Sequence, residues 1–183
     1  AQKLNTVAQT EVGYKFRREG EVSIEEEEDK SSFKYIENIN IFKDKVISQN
    51  EDSIKLWVNL ANSSLYTRML ANERPNVADC EYFENIARDL IKNRNNTDIE
   101  VIKGENLLKN DLNLVHAVGK AAVSEPRVVV LTYRGLGSDK PISHAIVGKG
   151  LTFDTGGLNL KPTGSMEEMY LDKHGACNTL AIF

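Results

Sequence analysis

The closing stretch of the sequence, VGKGLTFDTGGLNLKPTGSMEEMYLDKHGACNTLAIF, concentrates four residues whose chemistry goes beyond packing: Lys149, Asp154, Lys161 and Asp172. Asp154 and Asp172 are hard oxygen donors suited to zinc, manganese or magnesium, and a lysine amine joins such a set only when it is neutral. Burial beside a dication depresses a lysine pKa strongly, so Lys149 is chemically admissible as a ligand. A surface salt bridge accounts for the same residue types, and spacing alone does not choose between the two readings. His174, beside Lys173 in a polar turn, reads as a solvated or helix-capping residue rather than a ligand.

Gly148, Gly150, Gly156 and Gly157 let the backbone approach a ligand closely or adopt positive φ, and a turn of this kind also cradles phosphate. The specific nucleotide patterns are missing, however. No Gly-Lys-Ser/Thr completes a Walker loop, and Phe153 stands where G-x-G-x-x-G requires a glycine.

The composition narrows the classes further. A net charge of -4 over 183 residues, 27% of them charged and 40% hydrophobic, makes no field that holds polyanions, so nucleic acid is not an expected partner. No apolar run approaches the ~20 residues a membrane span needs. The start, AQKLNTVAQTEVGYKFRREG, lacks the apolar core of a signal peptide, so a cytoplasmic protein away from membranes is expected. Cys80 and Cys177 are too few for a disulfide scaffold and too far apart for a zinc ribbon, which leaves two free thiols.

The elements that must position the four residues follow from periodicity. The acidic run Glu25 to Asp29 reads as a solvated loop, and FKYIENINIFKDKVIS leans towards strand. Ser53 is a candidate cap for a long helix burying Ile54, Trp57, Val58, Ala61, Leu65, Met69 and Leu70, which ends before NERPN. Asp79 is positioned to cap a second helix with Phe83, Ile86, Ala87 and Leu90 inward. TDIEVI predicts a short strand, and ENLLKNDLNLVHAVGKAA a helix through Leu107, Leu108, Leu112, Val115 and Val118 that breaks at Gly119. RVVVLTYRG predicts a strand buried on both faces, and SHAIVGKG another after the turn GLGSDKP. Alternation of this kind predicts an α/β fold with a partly parallel sheet flanked by helices, and places Lys149 and Asp154 at a strand end, where such sheets carry binding groups.

The stretch from Val147 to Ala176 resembles the signature of the leucine aminopeptidase (cytosol aminopeptidase) family, V-G-K-G-x-T-F-D-S/T-G-G-x-x-x-K-P followed by M-x-x-D, without a gap through Lys161. Upstream, LANERPN, HAVGKAA and RVVVLTYRG are similar to family segments, so the resemblance covers about residues 65 to 183. It implies a remnant of a variable amino-terminal α/β domain over 1–50, a linking helix over 51–72, and the first part of an incomplete catalytic domain over 73–183.

What the resemblance implies chemically is a two-metal peptidase that removes single residues, preferably apolar and leucine-like, from the amino terminus of peptides. Lys149 would ligate one cation through a neutral amine, Asp154 would bridge both, and Asp172 would complete part of the first shell. A charged Lys161 would face the substrate carbonyl and stabilise developing negative charge. Met169 would line the pocket for the first side chain. The cofactors implied are two divalent ions (zinc, manganese or magnesium) and a bicarbonate, and the partners are peptide substrates and identical subunits in a hexamer. The family's remaining ligands lie in a later N-T-D-A-E-G-R segment that this sequence does not contain. Lys149, Asp154 and Asp172 alone are therefore expected not to hold a stable dinuclear site, and the chain is expected to be an inactive fragment of a longer enzyme. A catalytically inactive scaffold within a larger assembly is the alternative. Lys173 and His174 stand where the family has a hydrophobic and a small residue; Lys173 is expected either to repel a cation or to face solvent.

Overall fold

The computed structural model describes residues 2–4, 39–41, 51–135 and 141–183. The acidic run at Glu25 to Asp29 and most of the turn GLGSDKP lie outside these residues. The chain divides into two units, Ala1–Leu65 and Tyr66–Phe183. In the first, β1 (Gln2–Leu4) pairs antiparallel with β2 (Ile39–Ile41), Gln2 opposite Ile41 and Leu4 opposite Ile39. Helix α1 (Glu51–Asn72) runs across the unit boundary. It begins two residues before the predicted cap Ser53, and Trp57, expected inward, is 69% exposed. Among the described residues of α1, the buried ones come at its end, at Thr67, Leu70 and Ala71, where other helices cover it.

In the second unit, Asp79 caps α2 (Cys80–Ile91) as its side chain predicts, accepting the Tyr82 amide at 2.8 Å. Strands β3 (Thr97–Lys103) and β4 (Arg127–Tyr133) pair antiparallel in register from Thr97 opposite Tyr133 to Lys103 opposite Arg127. The helix expected across Leu107 to Val118 is instead two, α3 (Asn106–Lys109) and α4 (Asn113–Gly119). Asp111 takes φ 57 between them, a left-handed conformation that ends the first helical ladder.

Both strand pairs among the described residues are antiparallel. Two strand expectations are corrected. β4 is not buried on both faces, since Val130 and Tyr133 are exposed. SHAIVGKG is not assigned as a strand: a strand needs a neighbour to take its backbone hydrogen bonds, and among the described residues this segment has none. The mixed α/β character stands.

The core that positions the site lies where the end of α1, α2 and the last helix, α6 (His174–Ile182), meet. Leu70, Ala71 and Cys177 are buried there, packed by Tyr66, Met69, Tyr82, Phe83, Ile86, Leu171 and Leu180. Cys80 and Cys177 are both free, and burial pushes the Cys177 thiol up to about 11, so it serves as a small apolar group. α2 is tied to β4 by Glu84, whose carboxylate takes both Arg88, at 2.6 Å, and the buried Arg127. Among the described residues, no helix is long and apolar enough to cross a membrane.

Candidate metal centre

Lys149 lies in a segment pressed against the start of α6. Its carbonyl accepts the Ala176 amide at 2.8 Å, and a Cβ on Gly175 would come within 2.9 Å of the Lys149 nitrogen. A Cβ on Gly148 would meet the Gly175 carbonyl oxygen at 2.5 Å. Glycine at 148 and at 175 is what allows backbone to lie on backbone here, a function visible in the sequence only as small residues near the charged ones.

From Asp154 the chain makes a closed loop. Gly156, at φ 91, donates its amide to Asp154 Oδ1 at 2.8 Å, and the Lys161 amide returns to the Thr155 carbonyl at 2.9 Å. That closure brings Lys161 Nζ to 3.4 Å from Asp154 Oδ2. After the short helix α5 (Thr163–Met166), the 3-10 turn Met169–Leu171 delivers Asp172. The Met169 carbonyl accepts the amides of both Asp154, at 3.4 Å, and Asp172, at 3.3 Å. Sequence reasoning assigned Met169 a side-chain role and had no signal for this carbonyl, because backbone acceptors leave no trace in residue type.

The four predicted residues therefore come together as two ion pairs. Lys149 Nζ stands 2.7 Å from Asp172 Oδ2 in a close ion pair. Asp172 raises the Lys149 pKa above the ordinary lysine value, chiefly by side-chain hydrogen bonding. The Gly156 amide is the largest influence holding the Asp154 carboxyl below its usual range, with Lys161 acting in the same direction. His174 is exposed at the start of α6, in keeping with a solvated residue.

These donors fit part of a cation shell. Asp172 Oδ2 is withdrawn from solvent against the Lys149 ammonium, and Asp154 is tied to the same Met169 carbonyl as Asp172, so two hard carboxylate donors are available to a cation once the amine gives up its proton. The amine must lose a proton before it can join them, because in contact with Asp172 it is an ammonium. Among the described residues no three His, Cys, Asp or Glu side chains converge as a self-sufficient metal site.

Lys173 departs from expectation. It neither faces solvent nor points towards the carboxylates: it is wholly buried, its ammonium donating to the carbonyls of Glu73, at 2.7 Å, and Tyr170. Burial lowers its pKa.

A sequence profile described as the cytosol aminopeptidase family, catalytic domain, matches residues 65–183. The probable cytosol aminopeptidase of Persephonella marina is 39% identical over 142 residues, covering 78% of this chain and 27% of that protein. The leucyl aminopeptidase of Trypanosoma brucei, solved in complex with actinonin, superposes with a TM-score of 0.61 at 31% identity, over 69% of this chain and 24% of that one. The bottromycin maturation enzyme BotP, solved in complex with Mn, superposes with a TM-score of 0.61 at 30% identity, over 71% of this chain and 28% of that one. The chain thus spans about a quarter of the length of the relatives it matches.

Proposed function

The chain belongs to the cytosol aminopeptidase family, and from that premise we propose that the protein carrying it is a metal-dependent aminopeptidase that releases apolar, leucine-like residues from the amino terminus of peptides. The observation that carries the reading is the pair of ion pairs Lys149–Asp172 and Lys161–Asp154, whose two aspartates share one backbone acceptor, the Met169 carbonyl. The manganese in BotP supports a divalent cation as the partner of these donors. In this reading the partly parallel sheet is completed around the unpaired segment 143–150, the protein is cytoplasmic, and identical subunits assemble into a hexamer.

Lys149, Asp154 and Asp172 would hold the cations, with Asp154 shared between two. Bound zinc, manganese or magnesium would polarise the scissile carbonyl and activate water. This chain's own residues do the rest. Asp154 is kept ionised by the Gly156 amide, which fixes its charge and its direction. Lys161, partly accessible, offers an ammonium to the substrate carbonyl oxygen as negative charge develops there. Met169 would line the pocket for the substrate's first side chain, and a bicarbonate held elsewhere in the protein would assist proton transfer.

The test is release of the first residue from a leucine-initiated peptide, followed by mass spectrometry on the protein carrying this chain. Release that stops with a chelator and returns with Mn²⁺ or Zn²⁺ supports the proposal. No release under any of these ions overturns it and leaves the scaffold as the better account.

A further inference from the structure

Lys173 stands beside the second aspartate of the cluster and is wholly buried, although nothing in the proposed chemistry uses it. Burying an ammonium is expensive unless its donors are satisfied, and here two of the three have carbonyl acceptors. Nζ donates to the Glu73 carbonyl, one residue past the end of α1, and to the Tyr170 carbonyl, and it lies 5.5 Å from the centre of the Tyr170 ring. The end of a helix is where a cation is electrostatically favoured, so the α1 terminus is a natural anchor for this charge.

The placement of these contacts matters more than their number. Tyr170 is two residues before Asp172, and Lys173 is the residue after it. One buried charge thus fixes the chain on both sides of Asp172. Next along, Leu171 packs into the core, and the Lys173 carbonyl accepts the Cys177 amide at 3.1 Å to start α6. With its flanks pinned to the end of α1, Asp172 has little freedom except to present its carboxylate to Lys149.

We propose that Lys173 is a positioning residue for the cation site: its buried ammonium ties the Asp172 turn to the end of α1 and thereby sets where the Asp172 carboxylate stands. The inference rests on the metal-dependent reading above. Outer residues that orient a ligand commonly govern cation affinity about 10–100-fold.

The experiment compares the wild-type protein with Lys173→Met, which keeps a stem of similar length and removes the donors, and with Lys173→Gln, which returns one donor without charge. Mn²⁺ affinity is read by titration calorimetry, and deuterium uptake over residues 169–177 by mass spectrometry. Expected are Mn²⁺ binding about 10–100-fold weaker in Lys173→Met, partial recovery in Lys173→Gln, and faster uptake confined to 169–177. If Lys173→Met does not fold, Lys173→Gln against wild type decides alone, with weaker Mn²⁺ binding expected. Wild-type Mn²⁺ affinity in the folded variant, with or without a lower melting temperature, overturns the proposal and leaves Lys173 a residue of the fold. If the wild-type protein binds no Mn²⁺ the metal-dependent reading falls by itself. The tethering of the turn is then upheld by faster uptake in Lys173→Met and refuted by unchanged uptake.

Discussion

Asp154 and Asp172 present their backbone amides to the same oxygen, the Met169 carbonyl, at 3.4 and 3.3 Å. Two residues separated in the sequence are thereby tied to one backbone acceptor. Each carboxylate has its own lysine.

Asp154 is the member of the cluster whose loss cannot be compensated, because it would be shared by both cations. Asp154→Ala should abolish tight divalent-cation binding altogether, as metal analysis of the dialysed protein would show. A variant that retains two ions per chain refutes the shared assignment.

Lys161 should behave differently, since its ammonium would act on the substrate and not on a cation. Lys161→Ala is expected to lower kcat by about 10²–10³ with metal content unchanged, the size expected for one donor to a developing oxyanion. Unchanged turnover ends the assignment; loss of metal would show that Lys161 supports the site instead.

How much of this was legible beforehand depended on whether side chains or backbone did the work. Asp79 announced the start of α2 because capping is a property of residue type, and the strands at 97–103 and 127–133 were readable from their β-branched content. The four charged residues were found through the motif that carries them. The break at Asp111 was hidden because the apolar spacing of Leu107 to Val118 continues across it. Trp57 misled for the reverse reason: helical spacing says which residues share a face, not whether anything covers that face. Lys173 could not be foreseen at all, as the two carbonyls that satisfy it come from a turn and from a distant helix end.

The contact between the Lys149 backbone and α6 gives a steric prediction. At Gly148 a methyl group would meet Thr179 Oγ1 at 2.4 Å, the Gly175 carbonyl oxygen at 2.5 Å and the Ala176 Cα at 2.7 Å. Two of these are backbone atoms of a packed helix and cannot swing aside. Gly148→Ala should therefore destabilise the fold by about 1–3 kcal/mol in urea unfolding. It should also weaken cation binding, because Lys149 must move with its neighbour. A variant as stable as wild type would show that the 148–150 segment is not held against α6.

Glu84 supplies the pH dependence of the fold. Burial acts to raise its pKa, but hydrogen bonds from Arg88 and Arg127 and their charges outweigh it, so the carboxyl lies below the ordinary glutamate value. A folded-state pKa depressed in this way contributes stability that is present above the unfolded value and is lost as pH falls through the folded one. Protonation would leave Arg127, whose side chain is 6% exposed, buried without its counter-charge. Urea unfolding should accordingly show the fold weakening as pH falls below the ordinary glutamate value. Glu84→Gln should lower stability at neutral pH by about 3–5 kcal/mol, as expected for a buried pair missing one partner, and should flatten this acid limb. An acid limb equally steep in Glu84→Gln would assign the loss to other carboxylates.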